Sequence, residues 1–310
     1  MKQMALISSF QILLTATLFL CCTSAHAQNT DMEADMFADM RTNDKAAVVA
    51  VHFGTTSDAA RILSIERFNT RIKETFPLYD FREAWTSQKI IDNIKDKEII
   101  KQTPRQILEQ LKLDGFTHIL IQPSFVIEGV EMDYLKYIVN LFQHNFKSIR
   151  LSQPLLANPA DYEKVVEVER TVYKDKKSMN VLVCHGSMGS KNTQYTMLDY
   201  VIREEGLNNW TVATIEGYPS FEHMLRVLKA SGIKKVNLIP FLFLVGEYAE
   251  QEISVKWRKA LESEGYKVKV MTHGLGESDA INAIYADHAK YTQKHKMYTS
   301  FEQKLQNVIQ

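Results

Sequence analysis

The sequence has 310 residues, of which 45% are hydrophobic and 24% are charged, as in a folded globular protein rather than a disordered one. Its 37 basic and 37 acidic side chains balance, so no excess of positive charge indicates binding to nucleic acid or to an anionic membrane. The nucleotide-binding glycine motifs, G-x-S-x-G, H-E-x-x-H and paired C-x-x-C do not occur. The usual nucleotide-binding, serine hydrolase and zinc-site signatures are therefore absent.

The N-terminal segment is typical of an export signal. A positive charge precedes a mostly apolar stretch over residues 5–22, and Ala25-His26-Ala27 offers the small-x-small pattern of a cleavage site. We therefore predict a signal peptide over residues 1–27, a periplasmic mature protein, and no membrane span after the signal is removed. Two alternatives remain: an uncleaved membrane anchor, and a lipoprotein acylated at Cys21.

Cysteine usage bounds the chemistry of the mature chain. Cys21 and Cys22 lie inside the predicted signal, so Cys184 alone remains and no internal disulfide is expected. Cys184 precedes His185, but neighbours on a strand point to opposite faces. We therefore predict that Cys184 is a buried small hydrophobe rather than a nucleophile.

Strands and helices alternate along the mature chain. Residues 28–45 are polar and acidic, which predicts a flexible lead-in. The first half predicts strands over 46–53, 76–84 and 118–125, with helices beginning at Ser57 or Asp58 and at Pro104. The second half predicts strands over 181–184, 210–215, 235–243 and 267–271, separated by helices around 195–201, 221–230 and 255–263.

The two halves repeat each other. Residues 52–55 align with 184–187, and residues 122–129 align with 239–246. Alternating strands and helices give parallel sheets with right-handed crossovers. The predicted fold class is therefore α/β, with two similar doubly wound parallel-sheet lobes facing a central cleft. We place the N-terminal lobe at 46–160 and the C-terminal lobe, with the metal-site residues, at 161–310.

Chemistry-bearing residues follow successive strands of the second half. Open α/β sheets bind ligands at the carboxyl ends of their strands, where His185 and Glu216 are expected. An imidazole and a carboxylate suit a divalent metal or a proton-removing base. Glu247 and Tyr248 follow the third strand, and His273 is a weaker candidate after the last. The alternatives are a backbone-capping turn for His185 and solvated turn or helix-start residues for the carboxylates.

Several motifs in collinear order carry a family resemblance. Cys184-His185-Gly186, Glu216-Gly217-Tyr218-Pro219 and the segment 244–249 resemble the class II tetrapyrrole chelatases, the sirohydrochlorin cobaltochelatases of anaerobic cobalamin biosynthesis. The resemblance runs from about residue 46 to about residue 289. It implies a chelatase-like fold and a lyase that inserts a divalent metal, Co²⁺ or Fe²⁺, as substrate into a tetrapyrrole.

The same resemblance implies roles for individual residues. His185 becomes the base and a metal ligand, Glu216 a second ligand, and Tyr248 stands where the family usually has a second histidine. Tyrosine has an ordinary pKa of about 10 and suits a harder ion, such as ferric iron, better than cobalt(II). The residues that the resemblance implies for tetrapyrrole binding are Gly54, Thr55, Thr56, Phe125, Gly129, Gly186, Ser187, Tyr218, Gly246 and Glu247.

Tyr248 leaves other functions open. One alternative is a periplasmic haem- or tetrapyrrole-binding protein, with bound haem as its cofactor, that has lost insertion activity. Another is a protein that removes the metal from haem. The sequence leaves the metal, the macrocycle and homo-oligomerisation undecided.

Overall fold

The computed structural model describes residues 32–95, 99–187 and 189–296, so the predicted signal peptide lies outside the described residues. The strands are β1 (Met32–Glu33), β2 (Ala46–His52), β3 (Asp80–Trp85), β4 (His118–Pro123), β5 (Ser148–Leu151), β6 (Met179–Gly186), β7 (Trp210–Glu216), β8 (Lys235–Pro240), β9 (Lys267–Val270) and β10 (His295–Lys296). The α-helices are α1 (Asp58–Ala60), α2 (Arg67–Thr75), α3 (Gln88–Ile94), α4 (Pro104–Leu113), α5 (Val130–Phe142), α6 (Pro159–Val172), α7 (Thr193–Glu204), α8 (Phe221–Ser231), α9 (Glu247–Glu250), α10 (Arg258–Ser263) and α11 (Asp279–Lys294). Two π-helical segments, Arg61–Glu66 and Gln251–Trp257, join α1 to α2 and α9 to α10.

Two four-stranded parallel sheets form the framework, in the orders β3-β2-β4-β5 and β7-β6-β8-β9. Each lobe therefore places its first strand between its second and third. Every residue of β2 is buried, as expected for a central parallel strand covered by helices on both faces. The predicted α/β class with two similar doubly wound lobes is confirmed.

The sequence repeat is also a structural repeat. The amide of Ser124 donates to the Val51 carbonyl (2.9 Å) in one lobe, as the amide of Phe241 does to the Val183 carbonyl (2.8 Å) in the other. Gly54, at the turn after β2, has φ +104°, and a Cβ there would press against the Trp85 ring. At the end of β6, Gly186 has the same left-handed backbone, with φ +91°.

Two predicted strand boundaries differ from the structure by more than two residues. The strand predicted over 76–84 begins only at Asp80, because the amide of Phe76 still donates to the Ile72 carbonyl (3.0 Å) at the end of α2. The strand predicted to reach residue 243 ends at Pro240. Beyond it, the chain leaves the sheet and carries Phe243 toward the N-terminal lobe.

The predicted flexible lead-in is wrong for the residues that the structure describes. Met36 and Phe37 are only 4% and 8% exposed and belong to the core. The amide of Met36 donates to the carbonyl of Gln293 (2.9 Å). Apolar side chains among the acidic residues thus hold 33–45 on the fold, whereas residues 28–31 lie outside the described part.

The helices between and after the sheets tie the lobes together. α6 lies between the two sheets in the sequence and packs against α7 and α11. α11 also packs on α2 and β4 of the N-terminal lobe. Its Tyr285 hydroxyl contacts the carbonyl oxygens of Ser124 (3.1 Å) and Phe125 (3.0 Å). The last described helix therefore covers the first lobe.

Candidate active site

Three neighbouring strands of the C-terminal sheet deliver the candidate site. β6 ends in His185-Gly186, β7 ends in Glu216, and β8 leads through residues 241–246 into α9, which carries Tyr248. β6 lies between the other two, and Gly186 is opposite Glu216 in the register. Because parallel strands end at the same edge, these side chains are brought to one place.

The three side chains lie close together. The ring centroids of His185 and Tyr248 are 6.1 Å apart, with an angle of 39° between the rings. The Tyr248 phenol lies close enough to the Glu216 carboxylate for its negative charge to raise the pKa of the phenol. His185 and Glu216 are exposed, and Tyr248 is 53% exposed. The predicted metal-site residues thus form one accessible group.

A backbone contact favours one tautomer of His185. Its Nδ1 lies 3.3 Å from the Gly186 carbonyl oxygen. A carbonyl can only accept, so this contact is a hydrogen bond when Nδ1 carries the proton, and in that tautomer Nε2 has a lone pair for a metal or a proton. The preceding Cys184 is fully buried, and burial raises the pKa of its thiol well above the ordinary value. The prediction that Cys184 is a buried small hydrophobe is confirmed.

The Tyr248 phenol is held neutral. Burial of part of the ring raises the pKa of Tyr248, and the carboxylates of Glu252 and Glu216 raise it further. A bound cation reverses this balance because it stabilises the phenolate as a ligand. Tyr248 could therefore act as a metal ligand only if a metal ion displaced its proton.

Glycines let the turns of the site pack closely. Gly186 and Gly217 have φ values of +91° and +90°. A Cβ on Gly186 would overlap the carbonyl of Glu216, and one on Gly217 would overlap the Asn192 amide. Asn192 in turn accepts a hydrogen bond from the amide of Ser187 (2.9 Å). This hydrogen bond closes the loop after His185, which packs against Gly217 beyond the end of β7, and sequence reasoning missed this role of Asn192.

Other predicted residues line the same edge. Tyr218 is half-exposed and its hydroxyl lies 3.0 Å from His223 Nδ1. Sequence reasoning missed His223, because a histidine on the partly exposed face of α8 follows no motif. Gly246 is the N-cap of α9, and the exposed Glu247 is its first residue.

The residues predicted in the N-terminal lobe are less exposed. Phe125 is only 9% exposed, within the apolar core of its lobe, so the expectation that its ring packs on a macrocycle is wrong for this structure. Thr55 is also buried, and its hydroxyl accepts from the Ser57 amide (3.1 Å). Gly129 is the N-cap of α5, and Thr56 is the partly exposed member of the group.

The candidate metal site depends on its tyrosine. Within residues 32–95, 99–187 and 189–296, no group of three His, Cys, Asp or Glu side chains is placed to hold a metal ion. The weaker candidate His273 is paired with Glu277 (3.0 Å).

No helix in the described part of the chain is long and apolar enough to cross a bilayer.

Fold and site together define a two-lobed α/β protein with an imidazole, a carboxylate and a phenol converging at strand ends, an arrangement suited to handling a metal ion. The family model for cobalt chelatase (CbiK) matches residues 45–294, and the chain belongs to this family. It is similar to a sirohydrochlorin cobaltochelatase of Salmonella typhimurium, with 25% identity over 251 residues, which cover 79% of this chain and 95% of the relative. It is also similar to the sirohydrochlorin cobaltochelatase CbiKC of Nitratidesulfovibrio vulgaris, with 23% identity covering 73% and 83%.

Solved structures show the same fold. SirB from Bacillus subtilis with Fe³⁺ superposes with a TM-score of 0.60 and 14% identity, over 80% of this chain and 96% of the other. The sirohydrochlorin chelatase SirB in complex with cobalt, from Bacillus subtilis subspecies spizizenii, gives a TM-score of 0.59 and 15% identity, over 80% and 95%. At these identities the likeness establishes the architecture alone.

Proposed function

We propose that this chelatase inserts Co²⁺ or Fe²⁺ into sirohydrochlorin or a closely related tetrapyrrole, at the site formed by His185, Glu216 and Tyr248. Membership of the cobalt chelatase family and the names of its relatives support the reaction class. The observation that carries the site is the convergence of these three side chains from three neighbouring strand ends. None of these relatives is described as a haem protein, so bound haem gains no support.

The geometry suits each requirement of metal insertion. The macrocycle must lose two pyrrole protons as the metal binds its nitrogens, and the ion must exchange its water ligands. Nε2 of His185 has a free lone pair, which can hold the ion and then accept a proton. Glu216 offers a neighbouring carboxylate, which can accept the Tyr248 proton when the phenolate binds the metal.

The donor set favours iron over cobalt. One imidazole nitrogen and two oxygen donors make a harder site than two imidazoles and one carboxylate. We therefore propose Fe²⁺ as the better metal substrate of the two. Co²⁺ remains a substrate because the imidazole and the carboxylate both suit it.

Insertion assays with the purified protein test the proposal. Metal-free sirohydrochlorin is mixed anaerobically with Co²⁺ or Fe²⁺, and the loss of its visible absorption is followed. We expect His185→Ala to lower kcat by about 100-fold or more, as for loss of a positioned base. His144→Ala, at an exposed histidine of the other lobe, is the matched control. Equal rates for wild type and His185→Ala would overturn the assignment.

We also propose that the protein is exported to the periplasm. The support is the sequence of residues 1–27, with its basic start, apolar stretch and Ala25-His26-Ala27. N-terminal sequencing and intact mass of the protein from its native host test this. A mature chain starting at Gln28 in the periplasmic fraction is expected. A lipid-modified start at Cys21, or a retained Met1, would contradict a soluble periplasmic enzyme.

A further inference from the structure

The connection between β8 and α9 reaches across to the other lobe. Its Phe243 ring stacks on His52 at 5.8 Å between centroids, with an angle of 26°. Phe68 and Tyr285 meet the same ring edge-on, at 5.6 Å and 6.1 Å. The three partners are fully buried. A residue that follows a strand of the C-terminal sheet is thus enclosed by aromatic side chains of the N-terminal lobe and α11.

The backbone of this connection is fixed as well. The carbonyl of Phe243 accepts from the Gly276 amide, and that of Leu242 accepts from the Leu275 amide, both at 2.8 Å. A Cβ on Gly276 would lie 2.9 Å from two ring atoms of Phe243. The glycine therefore leaves the space in which the ring sits.

His52 is itself held in one orientation. Its Nδ1 lies 2.8 Å from the Ser124 hydroxyl, and its Nε2 lies 2.9 Å from Asn69 Oδ1. The Asn69 amide donates onward to Glu83 (2.7 Å). With both ring nitrogens occupied, the imidazole cannot turn without breaking a buried hydrogen bond, which is costly. Its face is the part left to receive Phe243.

The same carboxylate supports a second contact. Glu83 Oε1 accepts from the indole of Trp85 (2.6 Å) and from Lys101 Nζ (2.6 Å). Trp85 belongs to the apolar cluster of the N-terminal lobe against which Leu244 packs. One partly buried hydrogen-bond network therefore orients both surfaces, His52 and Trp85, that receive the β8–α9 connection.

We propose that Phe243 is a positioning residue for metal insertion: anchored in the N-terminal lobe, it fixes where α9 begins and hence where the Tyr248 phenol lies. The distance along the chain is short, because Gly246 caps α9 and Tyr248 is in its first turn. The inference rests on the proposed role of Tyr248 as a ligand. A displacement of about 1 Å at a reacting group can lower a rate by about 100-fold.

The kinetic test compares two phenylalanine truncations. Phe243→Ala is expected to lower kcat for insertion by about 10- to 100-fold, with the KM for the macrocycle unchanged because Tyr248 acts on the metal. Phe142→Ala removes a buried ring from the far helix α5 of the N-terminal lobe and is expected to keep the wild-type kcat. Both are assayed below their melting temperatures. If Phe243→Ala does not fold, Phe243→Leu replaces it.

A second readout does not depend on catalysis. The protein is labelled with 3-fluorotyrosine, and the ¹⁹F signal of Tyr248 is assigned with Tyr248→Phe. We expect Phe243→Ala or Phe243→Leu to shift or broaden that signal and Phe142→Ala to leave it unchanged. An unchanged signal and kcat, or equal effects from Phe142→Ala, would overturn the proposal. If the wild-type protein inserts no metal but the Phe243 variants show the expected change in the ¹⁹F signal, the proposed function is refuted and the positioning role of Phe243 stands.

Discussion

Glu169 gives a pH dependence of stability that can be worked out in advance. The residue lies on α6 and is 6% exposed, and burial raises the pKa of its carboxyl from 4.5 to about 7. Replacing it by glutamine keeps the shape of the side chain and removes the titration. We therefore expect Glu169→Gln to be more stable than wild type at high pH and similar to it at low pH.

The sign and size follow from the two pKa values. Below pH 4.5 the carboxyl is protonated in both the folded and the unfolded protein, so it adds no pH dependence. Between pH 4.5 and about 7 the unfolded chain loses the proton first, and the folded state loses stability as pH rises. Above pH 7 the loss is complete, at about 3 kcal/mol, using about 1.4 kcal/mol per tenfold change in proton affinity.

Urea unfolding followed by tryptophan fluorescence between pH 4 and pH 8.5 measures this effect. The quantity compared is the free energy of unfolding of Glu169→Gln minus that of wild type at each pH. Glu163→Gln, at an exposed position of the same helix, is the control for the substitution itself. A difference for Glu169→Gln that does not change with pH, or one that Glu163→Gln reproduces, would refute the reasoning that burial displaces the pKa of Glu169.

Two further predictions concern the site. Gly186→Ala should lower the free energy of unfolding by about 2–4 kcal/mol, because its Cβ would meet the Glu216 carbonyl at a left-handed φ. The control Gly206→Ala, at a left-handed glycine in open space, should lower it by about 1 kcal/mol. Equal losses for the two variants in urea melts would contradict the steric argument. Tyr248→His should raise the ratio of Co²⁺ to Fe²⁺ insertion rates by about tenfold or more; an unchanged ratio would show that Tyr248 does not contact the metal.

The sequence was informative wherever local pattern and global topology agreed. His185 and Glu216 each follow a short apolar strand, and the ends of parallel strands in one sheet must meet at one edge. The repeat of 52–55 in 184–187 likewise predicted two similar lobes. Tyr248 needed the family resemblance in addition, since a tyrosine at a helix start carries no pattern of its own.

The sequence was uninformative where a distant partner decides the environment. Phe243 lies in an apolar run that is equally compatible with a longer strand, but its ring packs outside the sheet on His52, Phe68 and Tyr285, which are distant in the sequence. Phe125 was expected at a cleft and lies in the core for the same reason. Glu169 has charged neighbours in the sequence, so no apolar pattern predicts its burial. That burial depends on how α6 packs against α7 and α11.

Anomalous diffraction from crystals loaded with Co²⁺ tests the central claim most directly. The site proposed here requires a cobalt peak within about 2.3 Å of His185 Nε2, a Glu216 carboxylate oxygen and the Tyr248 hydroxyl oxygen. The peak should disappear in His185→Ala crystals grown and soaked in the same way. Cobalt bound at other residues, in a protein that still inserts metal into sirohydrochlorin, would contradict the assignment of these three side chains as the metal site.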